Sequence, residues 1–217
     1  MKVINLGQSN SVLNNFVAQL RDKAIQKDSL RFRTNLERIG EVFGYEISKV
    51  LPYSTKEVMT PLGIAQVPTL DARIVLATIL RAGLPLHQGL LNVFDGAQNA
   101  FVAAFRKYDR GNEFHINVDS CTCPSLEGKI LILADSMMAT GSSVEVALDR
   151  LRHDGGESAA THIACPVVSV YALEYLQKRL PSDTTLWTAA VDEELTSHSL
   201  IVPGLGDAGD LAFGDKL

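Results

Sequence analysis

One stretch constrains this chain more than any other: Lys129-Ile-Leu-Ile-Leu-Ala-Asp-Ser-Met-Met-Ala-Thr-Gly-Ser-Ser-Val-Glu-Val-Ala-Leu-Asp-Arg-Leu151. The apolar run from Ile130 to Ala134 is long enough for a strand and too short for a helix. It has no alternating polar face, as expected of a strand buried on both sides of a parallel sheet. Asp135 follows, then small and hydroxyl residues through Thr140, Gly141, Ser142 and Ser143. Val144, Leu148 and Leu151 then recur at helical spacing. The pattern predicts strand, tight polar loop, helix. In open α/β sheets ligands bind outside the carboxyl ends of the strands, where such loops lie. A Thr-Gly-Ser-Ser loop entering a helix offers amides, hydroxyls and a favourable dipole to an anion. An ordinary turn with a serine cap is the competing reading, and spacing alone does not separate the two.

The rest of the chain is compatible with such a sheet. Its 217 residues, 46% apolar and 21% charged, provide a core of ordinary α/β size. With no repeat or Pro/Gly/Ser-rich linker, one domain over 1–217 is expected. With a net charge of −5 and no basic run among aromatics, a nucleic-acid footprint is not expected. No apolar segment reaches membrane-spanning length, and the first residues lack a signal-peptide core. Three cysteines fit a reducing cytosol better than a disulfide framework. Cys121 and Cys123 lack a second Cys/His pair at zinc spacing, so free thiols are expected.

In chain order, Ser11 to Ile25 reads as an amphipathic helix capped by Ser11. A second helix is expected from about Ser29 to Val50, with Leu36, Ile39, Val42, Phe43 and Ile47 facing inward. Arg31, Arg33 and Arg38 lie on its polar side, as solvated charges or as contacts for an anionic effector or a partner subunit. Thr55–Thr60 and Ile64–Val67 flank a Thr-Pro-Leu-Gly turn, a hairpin. Arg73–Leu80 is a buried strand ending in Arg81-Ala-Gly-Leu, a second candidate anion loop. Asn99–Phe105 is a further strand, ending at Arg106. Tyr108 to Pro124 alternates in part and is expected to be a hairpin flap over the sheet. Gly155-Gly156 closes the central helix. Thr161–Val170, a helix from Ala172 to Leu180, and a last strand Thr185–Val191 complete an alternating pattern. Strands alternating with helices imply a mostly parallel, Rossmann-like sheet flanked by helices.

Gly204-Leu-Gly206-Asp-Ala-Gly209 matches the dinucleotide fingerprint G-x-G-x-x-G letter for letter. That motif must open the helix of a βαβ unit with an acidic residue on the following strand. Leu217 follows too soon for either, so NAD binding is rejected. A glycine loop remains, able to bring backbone groups close to a flat ligand. A tail rich in turn residues is the bland alternative.

At these residues the chain resembles the type I phosphoribosyltransferases, and among them the uracil phosphoribosyltransferases. Asp135 to Ser143 is similar to that family's Asp-Pro-Met-Leu-Ala-Thr-Gly-Gly-Ser loop for phosphoribosyl pyrophosphate. Leu80-Arg-Ala-Gly-Leu84 matches its pyrophosphate loop, and Arg106 falls at its second pyrophosphate arginine. His198 to Gly214 resembles its uracil loop, the most specific match. Leu20-Arg-Asp-Lys23 and Thr60-Pro-Leu-Gly63 also fit. The resemblance implies a type I phosphoribosyltransferase fold with N-terminal helices (11–50), a core (70–195) and a uracil loop (198–214).

It further implies an enzyme of pyrimidine salvage, making UMP and pyrophosphate from uracil and 5-phosphoribosyl 1-pyrophosphate. Arg81 and Arg106 would contact the pyrophosphate. Asp135 would accept from the ribose hydroxyls, and the loop Ser136, Met137, Met138, Ala139, Thr140, Gly141, Ser142 and Ser143 would enclose the donor and its 5′-phosphate. Ile201, Gly206 and Ala208 would read uracil through the backbone, with Asp207 against the donor or its metal. Asp135, Asp207 and Arg106 are the candidate catalytic residues. Mg²⁺ is implied, held mainly through the pyrophosphate, as is a homodimer or larger homo-oligomer; activation by GTP, found in some relatives, is left open, and a cytoplasmic location is expected from the cysteines. A non-catalytic, nucleotide-binding regulatory protein on the same fold is the alternative. The chain departs from the family at Ser136 (for Pro), Ser142 and Ser199 (for Gly) and Leu200 (for Tyr). A positive φ at Ser142 would cost about 1 kcal/mol or more.

Overall fold

The apolar run at Ile130–Ala134 forms the middle strand of a seven-stranded sheet in the computed structural model. The structure describes residues 1–108 and 114–215, with side chains described outside 105–117. The chain begins with β1 (Lys2–Asn5), α1 (Val12–Arg21) and α2 (Ser29–Ser48), then β2 (Tyr53–Thr60), β3 (Gly63–Leu70), β4 (Ile74–Leu80) and α3 (Leu84–Val93). Next come β5 (Gln98–Tyr108), β6 (Phe114–Thr122), β7 (Ile130–Ala134), β8 (Met137–Met138) and α4 (Ser142–Gly155). It finishes with β9 (Ala160–Ala164), β10 (Val167–Ser169), α5 (Val170–Gln177), β11 (Thr185–Thr188), β12 (Ala190–Asp192), β13 (Glu194–Leu195), β14 (Ile201–Val202) and α6 (Ala208–Phe213).

The sheet order is β1-β11-β9-β7-β4-β5-β6, parallel except for the β5–β6 pair. Continuous apolar strands are explained by burial on both faces. On β4, Ile74 and Leu76 enter one core cluster while Val75, Ala77 and Ile79 enter the other; β7 divides Ile132 and Ala134 from Leu131 and Leu133 in the same way. The first cluster takes residues from α1, α2 and α3, among them Leu13, Leu36, Phe43 and Leu86. The second takes Val144, Leu148 and Leu151 of α4 and Ala172 and Leu176 of α5. This is a mostly parallel sheet with helices on both faces, as the sequence pattern predicts.

Three differences from the sequence expectations matter for function. The runs 161–170 and 185–191 are each two strands, because the chain leaves the main sheet at Cys165-Pro166 and at Ala189. The second pieces, β10 and β12, join β8 in a small parallel sheet, β12-β10-β8. The Pro166 carbonyl holds this junction, accepting from the amides of Ala189 (3.0 Å) and Ala190 (2.9 Å). The expected hairpin differs in position: β5 and β6 form it, with β6 at the edge of the main sheet and antiparallel to β5, and residues 109–113 between them lie outside those described. The first helix stops at Arg21, not Ile25, because the Asp22 carboxylate accepts from the amides of Ala24 (2.8 Å) and Ile25 (3.0 Å) and starts a separate turn. No helix among the described residues is long and apolar enough to cross a membrane.

Candidate functional site

A cleft of about 730 Å³ opens at the carboxyl ends of β4 and β7. One wall is Asp135 through Gly141 with Ser143; another is Leu80, Arg81 and Ala82; a third is Leu200 and Gly206 to Gly209. The structure thus brings together Asp135, Ser136, Met137, Met138, Ala139, Thr140, Gly141, Ser143, Arg81, Gly206, Asp207 and Ala208. Ser142 and Ile201 are not on the cleft wall. Ser142 is the first residue of α4, and Ile201, on β14, is buried in the first core cluster. Arg106 lies on β5 in register with Ile116, beyond Ala103 and Ala104 on the cleft wall, and its side chain lies outside the described ones.

Asp135 sits one residue past β7, its amide still bonded to the Ala164 carbonyl at 3.0 Å. The Ser136 amide donates to its carboxylate at 2.8 Å. Burial pushes the Asp135 carboxyl up to about 7, against the opposing pull of the Ser136 and Met137 amides. A carboxyl in that range, facing a cleft, fits a group whose charge changes with bound ligand. Ser136 is fully buried, and its Oγ has no hydrogen-bond partner among the described residues.

The loop then reaches α4 through Gly141, which has φ +82° and caps the helix. A side chain there would also meet Leu176 Cγ at 3.0 Å, so only glycine fits. Thr140 Oγ1 and Ser142 Oγ are 2.7 Å apart, and the Ser142 amide points at Thr140 Oγ1 at 3.4 Å. The first amides of a helix have no intrahelical acceptor and favour an anion. Because Ser142 is helical and the left-handed residue is Gly141, the strain expected at Ser142 is not present. Among the described residues it falls on Ser199 instead, the one non-glycine at positive φ (57°). The acidic residue in the first turn of α4, Glu145, is turned away to α5. Tyr175 donates a hydrogen bond to it, and Arg179 Nε lies 3.2 Å away.

The glycine loop has no polar side chain at Gly204, Gly206, Ala208 or Gly209, so at these positions only main-chain atoms can offer hydrogen bonds. Asp207 caps α6, accepting from Gly209 (2.9 Å) and Asp210 (3.1 Å). A short helix therefore does open within the G-x-G-x-x-G letters, at Ala208, where the sequence pattern left no room for one. Arg81 reaches this loop, with Nη2 3.2 Å from Asp210 Oδ1 and 3.3 Å from the Gly214 carbonyl.

Sequence reasoning missed Asp119, which lines the cleft from β6; the loose alternation of that strand carried no signal for it. It also missed the pairing of Arg21 with Asp192, 171 positions apart, a part-buried ion pair beside Gly204.

With this geometry in hand, comparison with known proteins is direct. A family model described as uracil phosphoribosyltransferase matches residues 8–215. The chain is 50% identical over 217 residues to a uracil phosphoribosyltransferase of Porphyromonas gingivalis, covering 100% of each. It is 35% identical over 201 residues to one from a Caulobacter species, covering 92% of this chain and 93% of the relative. Among solved structures it is similar to the Aquifex aeolicus protein AQ2163, with a TM-score of 0.86 and 28% identity over 99% of each chain.

Proposed function

This chain belongs to the uracil phosphoribosyltransferase family, and from that membership we propose how its cleft divides between two substrates. The enzyme converts uracil and 5-phosphoribosyl 1-pyrophosphate to UMP and pyrophosphate, a reaction of pyrimidine salvage. No observation favours the non-catalytic alternative. In our reading Asp135 takes the ribose hydroxyls, and the loop from Ser136 to Ser143 encloses the donor, with Thr140 to Ser143 around the 5′-phosphate. Arg81 and Arg106 take the pyrophosphate, and Ile201, Gly206 and Ala208 present backbone groups to uracil beside Asp207. One observation carries this reading: the acidic loop, the arginine loop and the glycine loop, far apart in sequence, line a single cleft.

The N1–C1′ bond forms as the C1′–pyrophosphate bond breaks through an oxocarbenium-like state, and the N1 proton passes to the departing pyrophosphate or to solvent. No covalent enzyme nucleophile is needed, so positioning and electrostatic stabilisation supply the rate. Asp135 orients the ribose, the α4 amides fix the 5′-phosphate, and arginine stabilises charge building on the leaving group. Mg²⁺ is part of the proposal. No group of three His, Cys, Asp or Glu converges among the described residues, while Asp119, Asp135 and Asp207 line the cleft singly. That donor set suits an ion held mostly through phosphate oxygens and water. Asp207 would approach it, and when bound it neutralises leaving-group charge.

A homodimer or larger homo-oligomer is supported by the exposed Met59, Leu62 and Ile64 on the β2–β3 hairpin. A cytoplasmic location is supported by three free cysteines. Activation by GTP is supported by the resemblance alone. The test of the site is UMP formation with Mg²⁺, run with uracil beside cytosine, hypoxanthine and orotate. Thr140→Ala should raise KM for the phosphoribosyl donor, and Ala208→Val should raise KM for uracil. The division fails if each substitution moves the other substrate's KM instead.

A further inference from the structure

A loop that reads its ligand through main-chain atoms cannot be tuned by its own side chains, so accuracy depends on what holds the backbone. Two residues outside the cleft grip Gly204. Its amide donates to Asp192 Oδ2 at 3.0 Å, and its carbonyl accepts from Arg21 Nη1 at 3.3 Å. Arg21 Nη2 in turn donates to Asp192 Oδ1 at 2.9 Å. The ion pair and both peptide groups of one glycine therefore form a closed ring of hydrogen bonds. Gly204 has φ +55°, and a side chain there would lie 2.1 Å from the Ile201 carbonyl oxygen, so the turn is tight.

The ring joins three distant parts of the chain: the end of α1, the end of β12 and the start of the base loop. Asp192 is 7% exposed. At that burial a charge needs its partner, and loss of one partner strands the other. The support continues along the loop. Gln26 Nε2 donates to the Leu205 carbonyl at 3.1 Å, and Arg33 Nη1 to the Ala212 carbonyl at 2.6 Å. Arg33 is thus not simply a solvated charge on the polar side of α2. These contacts leave the phosphate loop alone, so they can affect one substrate without the other.

We propose that Arg21 and Asp192 are positioning residues for base recognition, holding Gly204 so that the backbone from Ile201 to Ala208 presents its groups to uracil at fixed spacing. This rests on the assignment of that loop to the base. The experiment compares KM for uracil and for the phosphoribosyl donor in Arg21→Gln, Arg21→Lys, Asp192→Asn and the double variant Arg21→Gln/Asp192→Asn, with Ala208→Val as a control inside the loop. The expected result is a rise in KM for uracil of about tenfold or more in Arg21→Gln and Asp192→Asn, since small misplacements at a reacting site are costly. KM for the donor should stay within about twofold. Arg21→Lys should be milder, and the double variant no worse than the worse single one, because the ring acts as a unit. Selectivity for uracil over cytosine should fall with the same variants. If Arg21→Gln does not fold, Arg21→Lys and Asp192→Asn still report. Equal rises in both KM values, or no rise for uracil while Ala208→Val raises it, would overturn the proposal. An unchanged uracil KM in Ala208→Val would instead overturn the base-loop assignment on which it rests.

Discussion

Arg81 Nη2 stands 3.2 Å from Asp210 Oδ1, so the arginine that follows β4 is tied to the first turn of α6. The two loops assigned to different substrates are joined through this contact. Both side chains are partly exposed, at 41% and 32%, and a pair in that setting contributes less than about 1 kcal/mol. Asp210→Asn should therefore lower Tm by no more than about 2–4 °C. Arg81→Ala should cost far more in function, about 100-fold in kcat/KM for the phosphoribosyl donor, through lost charge-assisted bonds to pyrophosphate. Steady-state kinetics and a thermal melt check both. Similar kinetic losses in the two variants would mean that Arg81 serves the loop, not the leaving group.

Asp135 should impose a pH dependence. Burial raises its carboxyl to about 7, and the ionised form is the better acceptor for ribose hydroxyls. The kcat/KM for the donor should fall below about pH 7 and level off above it, and Asp135→Asn should remove that limb while lowering kcat. The linked effect on stability has the opposite sense. A folded-state value above the unfolded one means that the folded protein binds the extra proton, so stability is lost as pH rises from about 4 to about 7. Asp135→Asn should then be more stable than the natural protein at pH 8 by up to a few kcal/mol, with the gap closing toward pH 4. Melting curves across that range decide it, and a gap that does not depend on pH would remove the buried carboxyl from the account.

Ser136 carries a buried hydroxyl with no partner among the described residues. Ser136→Ala should raise stability by about 1 kcal/mol, by removing the desolvated group. Ser136→Pro, the residue of the family pattern, has no N–H to give Asp135 and should push the acid limb to higher pH. A pH profile of Ser136→Pro superimposable on that of the natural protein would refute this.

The glycines missing from the family pattern should behave oppositely when restored. Ser199 has φ 57°, a left-handed conformation that strains a side chain. Ser199→Gly should be stabilising by up to about 1 kcal/mol. Ser142 is the first residue of α4 and shares a 2.7 Å hydrogen bond with Thr140. Ser142→Gly should cost about 0.5–1 kcal/mol. Differential scanning calorimetry of the two variants tests the sign of each.

Much of the fold was legible because its cause is local. A run such as Ile74–Leu80 announces a strand buried on both faces, and Val144, Leu148 and Leu151 announce a helix face, since each pattern follows from backbone geometry. Four-residue β1 was not legible, because so short a stretch has no period and is a strand only through its pairing with β11. The splits at Cys165-Pro166 and Ala189 were hidden for a similar reason. Each apolar run continues across the break, and only the second sheet that receives β10 and β12 turns it into two strands.

The sequence by itself determined the chemistry of the loops: an acidic residue and a Thr-Gly-Ser-Ser turn after one strand, an arginine after another, and a glycine loop near the end. These are properties of residue type and spacing; by themselves they left each loop open between a ligand site and an ordinary turn, and the phosphoribosyl donor and the base entered through the resemblance to a known family. The tertiary structure decided which loops share a cleft, that Gly141 and not Ser142 takes the left-handed turn, and that Asp119 joins the wall. It also decided that Arg21 meets Asp192 across 171 positions. A contact of that separation leaves no local periodicity to read, because it exists only where the packed fold brings the ends of α1 and β12 together at Gly204.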